Sequence, residues 1–171
     1  ACDKYRVKGI QTTHRLLQGF PNKKVIQAST PEDLENIVCN YLGGGVDLVF
    51  VDGVHDNDIQ TREFEILEDF LSTRSVVIFH DVIACGLLES FELLRSKYNQ
   101  YQFYLLTNTT SGLAVCVKQP VSQSLERLLQ FLSLPIAFME DLNAFLAKQR
   151  GTGKSDGIYT GAFEEAPHPQ K

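Results

Sequence analysis

The sequence of 171 residues is 43% hydrophobic and 22% charged, a composition typical of one soluble globular domain with a substantial core. Its formal net charge of −5 and its lack of a basic run argue against a duplex nucleic-acid surface, which needs Lys and Arg to neutralise phosphates. No apolar run approaches the ~18 residues of a membrane span, and the N-terminal stretch lacks a signal-peptide core. We therefore expect a cytoplasmic protein with a small-molecule substrate and no nucleic-acid or membrane partner. Because the chain begins at Ala1 without Met, it could be processed or a piece of a longer protein.

The four cysteines are Cys2, Cys39, Cys85 and Cys116. They form no CxxC pair and fall in or beside predicted apolar elements, where a free cysteine behaves as a small hydrophobic residue. We therefore interpret all four as reduced and structural.

The N-terminal segment predicts two short strands and two helices. The strands are expected at Tyr5 to Ile10 and at Lys24 to Gln27, with a short helix over Thr12 to Phe20 between them. The hydroxyl of Thr30, the proline after it and the acidic residues that follow predict the start of a helix that runs to about Leu42.

Three consecutive glycines occupy positions 43–45. Glycine can take left-handed conformations, so the triplet can end the preceding helix and turn the chain into the next strand. A phosphate-cradling loop would instead follow a strand and open a helix. The order here is the reverse, so we favour the turn.

Two apolar runs, Val46 to Val51 and Ser75 to Phe79, have the pattern of strands that are buried on both faces of a parallel sheet. The segment between them predicts one amphipathic helix, capped by Asn57 or Asp58. Because a single helix with short loops connects the two runs, we expect adjacent parallel strands.

Polar side chains follow both of these strands: Asp52 and His55 after the first, His80 and Asp81 after the second. The carboxyl ends of parallel strands face the ligand crevice, and adjacent strands lie about 4.8 Å apart. Carboxylates suit Mg²⁺, and an imidazole nearby can accept the proton of a hydroxyl that a cation has made more acidic. We expect the carboxylates of Asp52 and Asp81 to approach within roughly 4–7 Å and share one cation.

Structural explanations exist for the same residues. Asp-Gly is a common turn signal after any strand, which would explain Asp52 without a ligand. His55 could be an exposed loop histidine beside a helix cap.

The remaining chain predicts a helix over Ile83 to Tyr98 and then two strands, Tyr101 to Thr107 and Leu113 to Lys118. The five polar residues between these strands can join only antiparallel neighbours. Ser122 to Leu134 and Ile136 to Gln149 predict two further helices, separated by a proline.

Residues 151–171 contain glycines and prolines with little apolar periodicity, which predicts a flexible tail after a domain that spans residues 1–150. Alternating strands and helices predict an α/β fold. We expect a Rossmann-like three-layer sandwich with a mostly parallel sheet that ends in an antiparallel hairpin.

The order of these elements resembles the C-terminal half of class I S-adenosylmethionine-dependent methyltransferases. It consists of a strand ending in Asp-Gly-x-His, a capped helix, a strand ending in His-Asp, another helix and a β-hairpin. The resemblance covers roughly Arg6 to Lys118 and is closest to small-molecule O-methyltransferases, including sugar enzymes. It implies a sheet of order 3-2-1-4-5-7-6 with an antiparallel strand 7. It also implies S-adenosylmethionine as cofactor and, in many such enzymes, Mg²⁺.

The resemblance implies roles for individual residues. Asp52 and Asp81 match positions that bind a divalent metal, and Asp52 is also assigned to cofactor binding. His55 matches the general base of some sugar methyltransferases. His80 is interpreted as a structural group or one that supports the ligands.

The cofactor half of the family pattern is altered. The first strand and its glycine-rich loop have no counterpart in this sequence. Gln11 stands where an acidic residue would bind the ribose, and Ser29 stands near the position of an Asp that binds the adenine amine. We therefore assign Gln11 and Ser29 to cofactor binding and expect the chain alone to bind S-adenosylmethionine weakly or not at all.

A central strand is needed in such a sheet, because each unpaired buried backbone group costs about 1–3 kcal/mol. It would come from a missing N-terminal segment or a partner chain, including a homo-oligomer, or the Tyr5 strand would move beside the Val46 strand. Two functions remain open. The chain is a metal-assisted O-methyltransferase, or the major part of one, or it is a non-catalytic methyltransferase-like domain for binding or assembly.

Overall fold

The computed structural model describes residues 7–42, 45–107, 109 and 111–133, together with the single positions 138, 141, 144 and 148. The chain divides into two compact units, Ala1–Leu134 and Pro135–Lys171. All elements discussed below belong to the first unit. The predicted helix over Ile136 to Gln149 lies mostly outside the described residues, and the predicted tail over 151–171 lies wholly outside them, so the predicted domain boundary stays a prediction.

The described elements alternate between strand and helix from β1 to β3, and β4 then follows β3 directly. In chain order they are α1 (Val7–Leu16), α2 (Leu34–Ile37) with a π-helical turn (Val38–Leu42), β1 (Val46–Val51), α3 (Asn57–Glu68), β2 (Leu71–Phe79), α4 (Leu88–Lys97), β3 (Tyr101–Leu106), β4 (Leu113–Lys118) and α5 (Gln123–Leu132).

The four strands form one sheet in the order β1-β2-β4-β3. β1 and β2 are parallel neighbours, whereas β4 runs antiparallel to both β2 and β3. The predicted adjacency of the Val46 and Ser75 strands and the predicted hairpin are therefore confirmed. This order is the 4-5-7-6 half of the sheet that the resemblance implies. Only one of the three strand pairs in the described sheet is parallel, because none of the described residues before β1 adds a strand to it.

The first face of the sheet is covered by α3 and α4. Phe64 of α3 is fully buried, and its ring centroid lies 5.0 Å from that of Tyr98, 5.5 Å from that of Tyr101 and 6.0 Å from that of Phe79. Such a residue anchors one side of the core, and its truncation to alanine would cost about 3–5 kcal/mol. This packing fixes the loops at the ends of β1 and β2.

The second face of the sheet is covered by α5 over β3 and β4, where Leu129 packs with Tyr104 and with valines of β4. The cover does not reach β1. Leu48 and Phe50 pair with residues of β2 that point to this second face, yet 66% and 56% of their surfaces are exposed. Among the described residues β1 pairs with β2 alone, so β1 has an open edge and an uncovered apolar face.

Both strands predicted before residue 30 are wrong. Val7 to Ile10 lie in α1, while Tyr5 is outside the described residues, and Lys24 to Gln27 contain a single bridge position at Ile26. A strand needs a paired neighbour, and no strand of the described sheet pairs with these segments. The Tyr5 strand therefore does not move beside β1.

The helix predicted from Thr30 to Leu42 is broken into turns, the short α2 and the π-helical turn. The helix predicted from Ile83 begins only at Leu88, because residues 81–87 form successive turns. β2 is longer than predicted and starts at Leu71. α5 lies within the helix predicted from Ser122, whose side chain caps it.

Candidate metal centre

The candidate site is formed by the two loops that leave the carboxyl ends of β1 and β2. The backbone N–H of His80 donates to the carbonyl oxygen of Val51 at 3.0 Å, which carries the parallel pairing to the last residues of both strands. The loops that follow start side by side. Asp52 and Asp81 are therefore presented at the same end of the sheet, as the sequence predicted.

Three potential ligand atoms converge there. Nδ1 of His80 lies 3.3 Å from Oδ1 of Asp52 and 3.1 Å from Oδ2 of Asp81. One ligand atom from each of the three residues lies within 4.8 Å of the others. The predicted approach of the two carboxylates is thus found, and the structure adds an imidazole nitrogen to them.

Asp81 owes its position to an unusual backbone conformation. Its φ is 57°, the left-handed region that non-glycine residues occupy rarely and Asp more readily than most. Consecutive residues of a strand point to opposite faces. The left-handed turn at Asp81 brings its carboxylate back to the side of His80, so neighbouring residues contribute to one site. Strained backbone of this kind is found preferentially at functional sites.

His80 fits a ligand better than the supporting role predicted for it. Its Nε2 lies 3.1 Å from Oγ of Ser111, and a proton on Nε2 donated to this hydroxyl leaves a lone pair on Nδ1. Nδ1 is buried and has no hydrogen-bond partner of good geometry, although two carboxylate oxygens lie close to it. In the tautomer protonated on Nε2, the lone pair of Nδ1 faces the two carboxylates, and these three residues then fit a divalent metal ion between them.

His55 approaches the same carboxylate oxygen of Asp81 that His80 approaches. Its Nε2 is 3.1 Å from Oδ2 of Asp81 and 3.8 Å from Oδ1 of Asp52, and one third of its side chain is exposed. The following residue, Asp56, is the N-cap of α3 and accepts from two backbone N–H groups at the start of that helix. The cap fixes the direction of the loop and hence the position of His55. The predicted cap at Asn57 or Asp58 is displaced by one residue.

The hairpin loop between β3 and β4 holds the loop that carries Asp81. The carbonyl oxygen of Ser111 accepts from the N–H groups of Ile83 and Ala84 at 3.1 and 3.0 Å, and that of Gly112 accepts from Val82 at 3.1 Å. Gly112 has a φ of 77°, and a Cβ there would lie 2.5 Å from Cγ1 of Ile83. Only glycine fits this contact.

Cys85 also lies at the site. Its N–H donates to the carbonyl oxygen of Asp81 at 2.9 Å, which places it one helical turn beyond that residue. Burial and the charges of Asp81 and Asp52 raise the pKa of its thiol. Cys85 and Cys39 are exposed, which does not fit the structural role predicted for them, whereas Cys116 is buried. All three are free thiols, and Cys2 lies outside the described residues.

A groove of about 470 Å³ runs along β1, between it and α2 with the π-helical turn. Its walls are mostly apolar, and its polar lining includes Thr30, Asp52 and Glu63. Glu63 is only 4% exposed. Burial raises its pKa, a hydrogen bond with Thr30 lowers it, and the charge of Glu32 raises it further. The groove connects the loop after β1 with the open edge of the sheet.

The two residues assigned to the cofactor half are not brought to this site. Gln11 is an exposed residue of α1. Ser29 lies in a turn, where its N–H donates to Oδ2 of Asp33 at 2.8 Å and its hydroxyl to Oε2 of Glu32 at 3.4 Å. The alignment of both with strand ends fails, because no strands form there. Their roles in cofactor binding stay predictions.

Sequence reasoning did not assign Ser111 and Cys85 to the site. Ser111 lies 31 residues beyond His80, in a hairpin link whose residues read as ordinary turn formers. Cys85 depends on the turn that starts at the left-handed Asp81. Two signals could have indicated these residues. Cys85 lies only four residues after Asp81, and Ser111-Gly112 forms part of the link that precedes the strand β4.

Among the described residues, no helix is both long and apolar enough to cross a membrane.

Comparisons with known proteins agree with the fold. Residues 8–82 match a family model described as a methyltransferase domain. One similar solved structure is that of a Staphylococcus aureus protein provisionally described as a caffeoyl-CoA O-methyltransferase, with 21% identity and a TM-score of 0.54. The match covers 68% of this chain and 62% of that one, so this chain spans less than two thirds of its structural neighbour. No curated protein matches the sequence. The similarity confirms the Rossmann-like α/β fold.

Proposed function

We propose that this chain, whose residues 8–82 match a family model described as a methyltransferase domain, forms the cation and acceptor side of an S-adenosylmethionine-dependent O-methyltransferase. The acceptor would be a hydroxyl of a small molecule or sugar. The observation that carries the proposal is the convergence of Asp52, His80 and Asp81 within 4.8 Å at the ends of two adjacent parallel strands.

The cation would be held by the carboxylates of Asp52 and Asp81 and by Nδ1 of His80. Carboxylates are the ligands that Mg²⁺ prefers, and the site faces open solvent because about half of the Asp52 side chain is exposed. When bound, the ion would supply positive charge that orients a hydroxyl and makes it more acidic. Ser111 would hold the imidazole of His80 in the orientation that directs Nδ1 to the carboxylates.

His55 would accept the proton of the acceptor hydroxyl. Its Nε2 faces the space between Asp81 and Asp52, at 3.1 and 3.8 Å from their oxygens. The imidazolium formed by proton transfer would be stabilised by the two negative charges, although exposure of these side chains weakens the interaction. The proton could then pass to water, since one third of the His55 side chain is accessible.

The methyl donor does not fit a complete site among the described residues. Gln11 and Ser29 lie outside any strand end, and the described segments contain no strand before β1. We therefore derive no step of methyl transfer from this chain alone. The proposal requires that the cofactor side be completed by residues outside those described or by another chain.

A non-catalytic binding or assembly domain is the second candidate. It is favoured by the open edge of β1 and by the exposed Leu48 and Phe50 beside it. A partner strand or a second copy that covers this face would complete the sheet without any chemistry at Asp52 or Asp81. The two candidate functions differ in whether activity requires a cation at Asp52 and Asp81.

The experiment that separates them is methyl transfer from labelled S-adenosylmethionine to a panel of diols and sugars. It should be measured for the 171-residue chain and for the longest protein that its gene encodes. An enzyme would show transfer that requires Mg²⁺ and is lost in Asp52→Asn but retained in Asp47→Asn, whose carboxylate lies at the opposite end of β1. Transfer that survives both EDTA and Asp52→Asn would contradict the proposal.

A further inference from the structure

We propose that His55, Asp81 and Cys85 form a second cation site, which takes a thiolate-binding divalent ion such as Zn²⁺. One ligand atom from each of these residues lies within 4.8 Å of the others. The group shares Asp81 with the cluster of Asp52, His80 and Asp81, and both histidines approach the same oxygen, Oδ2 of Asp81. It differs in having a sulfur atom and in using His55 in place of His80 and Asp52.

The loop geometry supports this grouping. The hydrogen bond of 2.9 Å from the N–H of Cys85 to the carbonyl oxygen of Asp81 sets the two residues one helical turn apart, which places their side chains on one side of the turn. Nε2 of His55 reaches the same carboxylate at 3.1 Å from the loop before α3. Two independent loops, each fixed by backbone hydrogen bonds, therefore supply the three ligands.

The site is accessible and needs only small adjustments. Cys85 is exposed and one third of the His55 side chain is exposed, so an ion can enter without opening the core. Ligand atoms around tetrahedral Zn²⁺ lie about 3.3–3.8 Å apart, given bond lengths of about 2.0–2.3 Å. Side-chain shifts of roughly 1 Å would bring the three atoms from their present separations to these distances.

The choice of ion follows from the ligands. Thiolate, imidazole and carboxylate together suit Zn²⁺, and three protein ligands leave a fourth position for water. The cluster with Asp52 and His80 contains no sulfur and suits harder cations. As the Zn–S bond forms, the thiol releases its proton to solvent. The charges of the thiolate and of Asp81 together neutralise the ion.

Binding there would also engage the lone pair on Nε2 of His55. If the chain acts as the proposed O-methyltransferase, His55 could then no longer accept a proton. Zn²⁺ would thus inhibit the protein that Mg²⁺ supports, through a set of ligands that has only Asp81 in common with the Mg²⁺ site.

The test uses Co²⁺ as a spectroscopic substitute for Zn²⁺ on the purified 171-residue chain. Wild-type protein is expected to develop the intense near-ultraviolet absorption of a cobalt–thiolate bond, which added Zn²⁺ removes. Cys85→Ser should abolish this absorption and lower Zn²⁺ affinity by about 10²-fold or more. The matched control, Cys39→Ser, removes another exposed thiol and should leave the cobalt–thiolate absorption and the Zn²⁺ affinity unchanged.

A second measurement needs no substitution. Zn²⁺ should protect Cys85 of the wild-type chain from alkylation, detected by mass spectrometry, while Cys39 remains reactive. The proposal is overturned if the cobalt–thiolate absorption is absent, if Cys39→Ser removes it as Cys85→Ser does, or if Zn²⁺ protects neither thiol. Asp52→Asn should retain the absorption. Failure of Mg²⁺-dependent methyl transfer would leave this result intact, so the two proposals fail separately.

Discussion

Nδ1 of His80 and Oδ2 of Asp81 lie 3.1 Å apart, although the two residues are neighbours in sequence and follow the same strand. An extended chain would point them to opposite sides of the sheet. The φ of 57° at Asp81 reverses the direction of its side chain, so that both residues and Asp52 share one site. The candidate metal centre therefore depends on one strained residue as much as on the ligand types.

The backbone of Asp81 gives the first prediction. Asn tolerates the left-handed region nearly as well as Asp, whereas Ala does not. Asp81→Ala should therefore be less stable than Asp81→Asn by about 1 kcal/mol in free energy of unfolding. Urea denaturation of the two variants measures the difference. Equal stability would show that the left-handed conformation is not enforced in solution.

Gly112 gives the second prediction. An alanine at this position would have to adopt a left-handed backbone conformation, and its Cβ would lie 2.5 Å from Cγ1 of Ile83. Gly112→Ala should lower the free energy of unfolding by about 1–3 kcal/mol. The matched control is Gly19→Ala, because no atom lies within 4 Å of a Cβ there. A Gly112 variant as stable as the Gly19 variant would contradict the described contact between the hairpin loop and the loop after Asp81.

The buried carboxyl of Glu63 predicts a dependence of stability on pH. Burial raises its pKa above the ordinary 4.5, so the folded chain retains this proton at pH values where the unfolded chain has lost it. Its stabilising contribution is present below pH 4.5 and is lost as the pH rises through the raised value. Glu63→Gln, which has no charge, should therefore gain stability relative to wild type at pH 7 but not at pH 4.

Urea denaturation at several pH values between these limits would check the result for Glu63. Glu65→Gln is a suitable comparison, since Glu65 lies on the same helix with its carboxylate in a surface ion pair. A constant difference between wild type and Glu63→Gln at all pH values would show that the carboxyl does not titrate differently in the folded chain.

Ser111 gives a prediction about positioning. Loss of a group that orients a metal-binding histidine commonly weakens metal binding by about 10–100-fold. Ser111→Ala should lower Mn²⁺ affinity within this range, with Mn²⁺ serving as the probe for a hard divalent ion. Ser96→Ala, which removes an exposed hydroxyl on α4, should leave it unchanged. Thermal unfolding of both variants would show whether the fold is retained, and equal Mn²⁺ affinity would exclude the orienting role.

The part of the chain after residue 45 was largely predictable from sequence, for a physical reason. Its strands are bounded by clear turns and have partners within the same segment, as the pairing of Val46–Val51 with Leu71–Phe79 shows. The convergence of Asp52 and Asp81 followed from the general geometry of parallel strands.

The first 30 residues were not predictable in the same way. A short apolar run such as Tyr5 to Ile10 is compatible with a strand or a helix, and pairing partners decide between them. None of the described strands offers such a partner. The proximity of His80 to both carboxylates was not predicted for another reason: the left-handed φ of Asp81 is a tertiary outcome that no local pattern in the sequence specifies.

The most direct test of the metal centre is Mn²⁺ binding by the 171-residue chain, measured by electron paramagnetic resonance and by calorimetry. The account predicts one bound ion per chain, with affinity reduced by about tenfold or more in Asp52→Asn and in His80→Ala, because each removes a ligand. Asp47→Asn, which removes an equal charge at the other end of β1, should bind as wild type does. Mn²⁺ binding that is absent from the wild type, or weakened as much by Asp47→Asn as by Asp52→Asn, would contradict it.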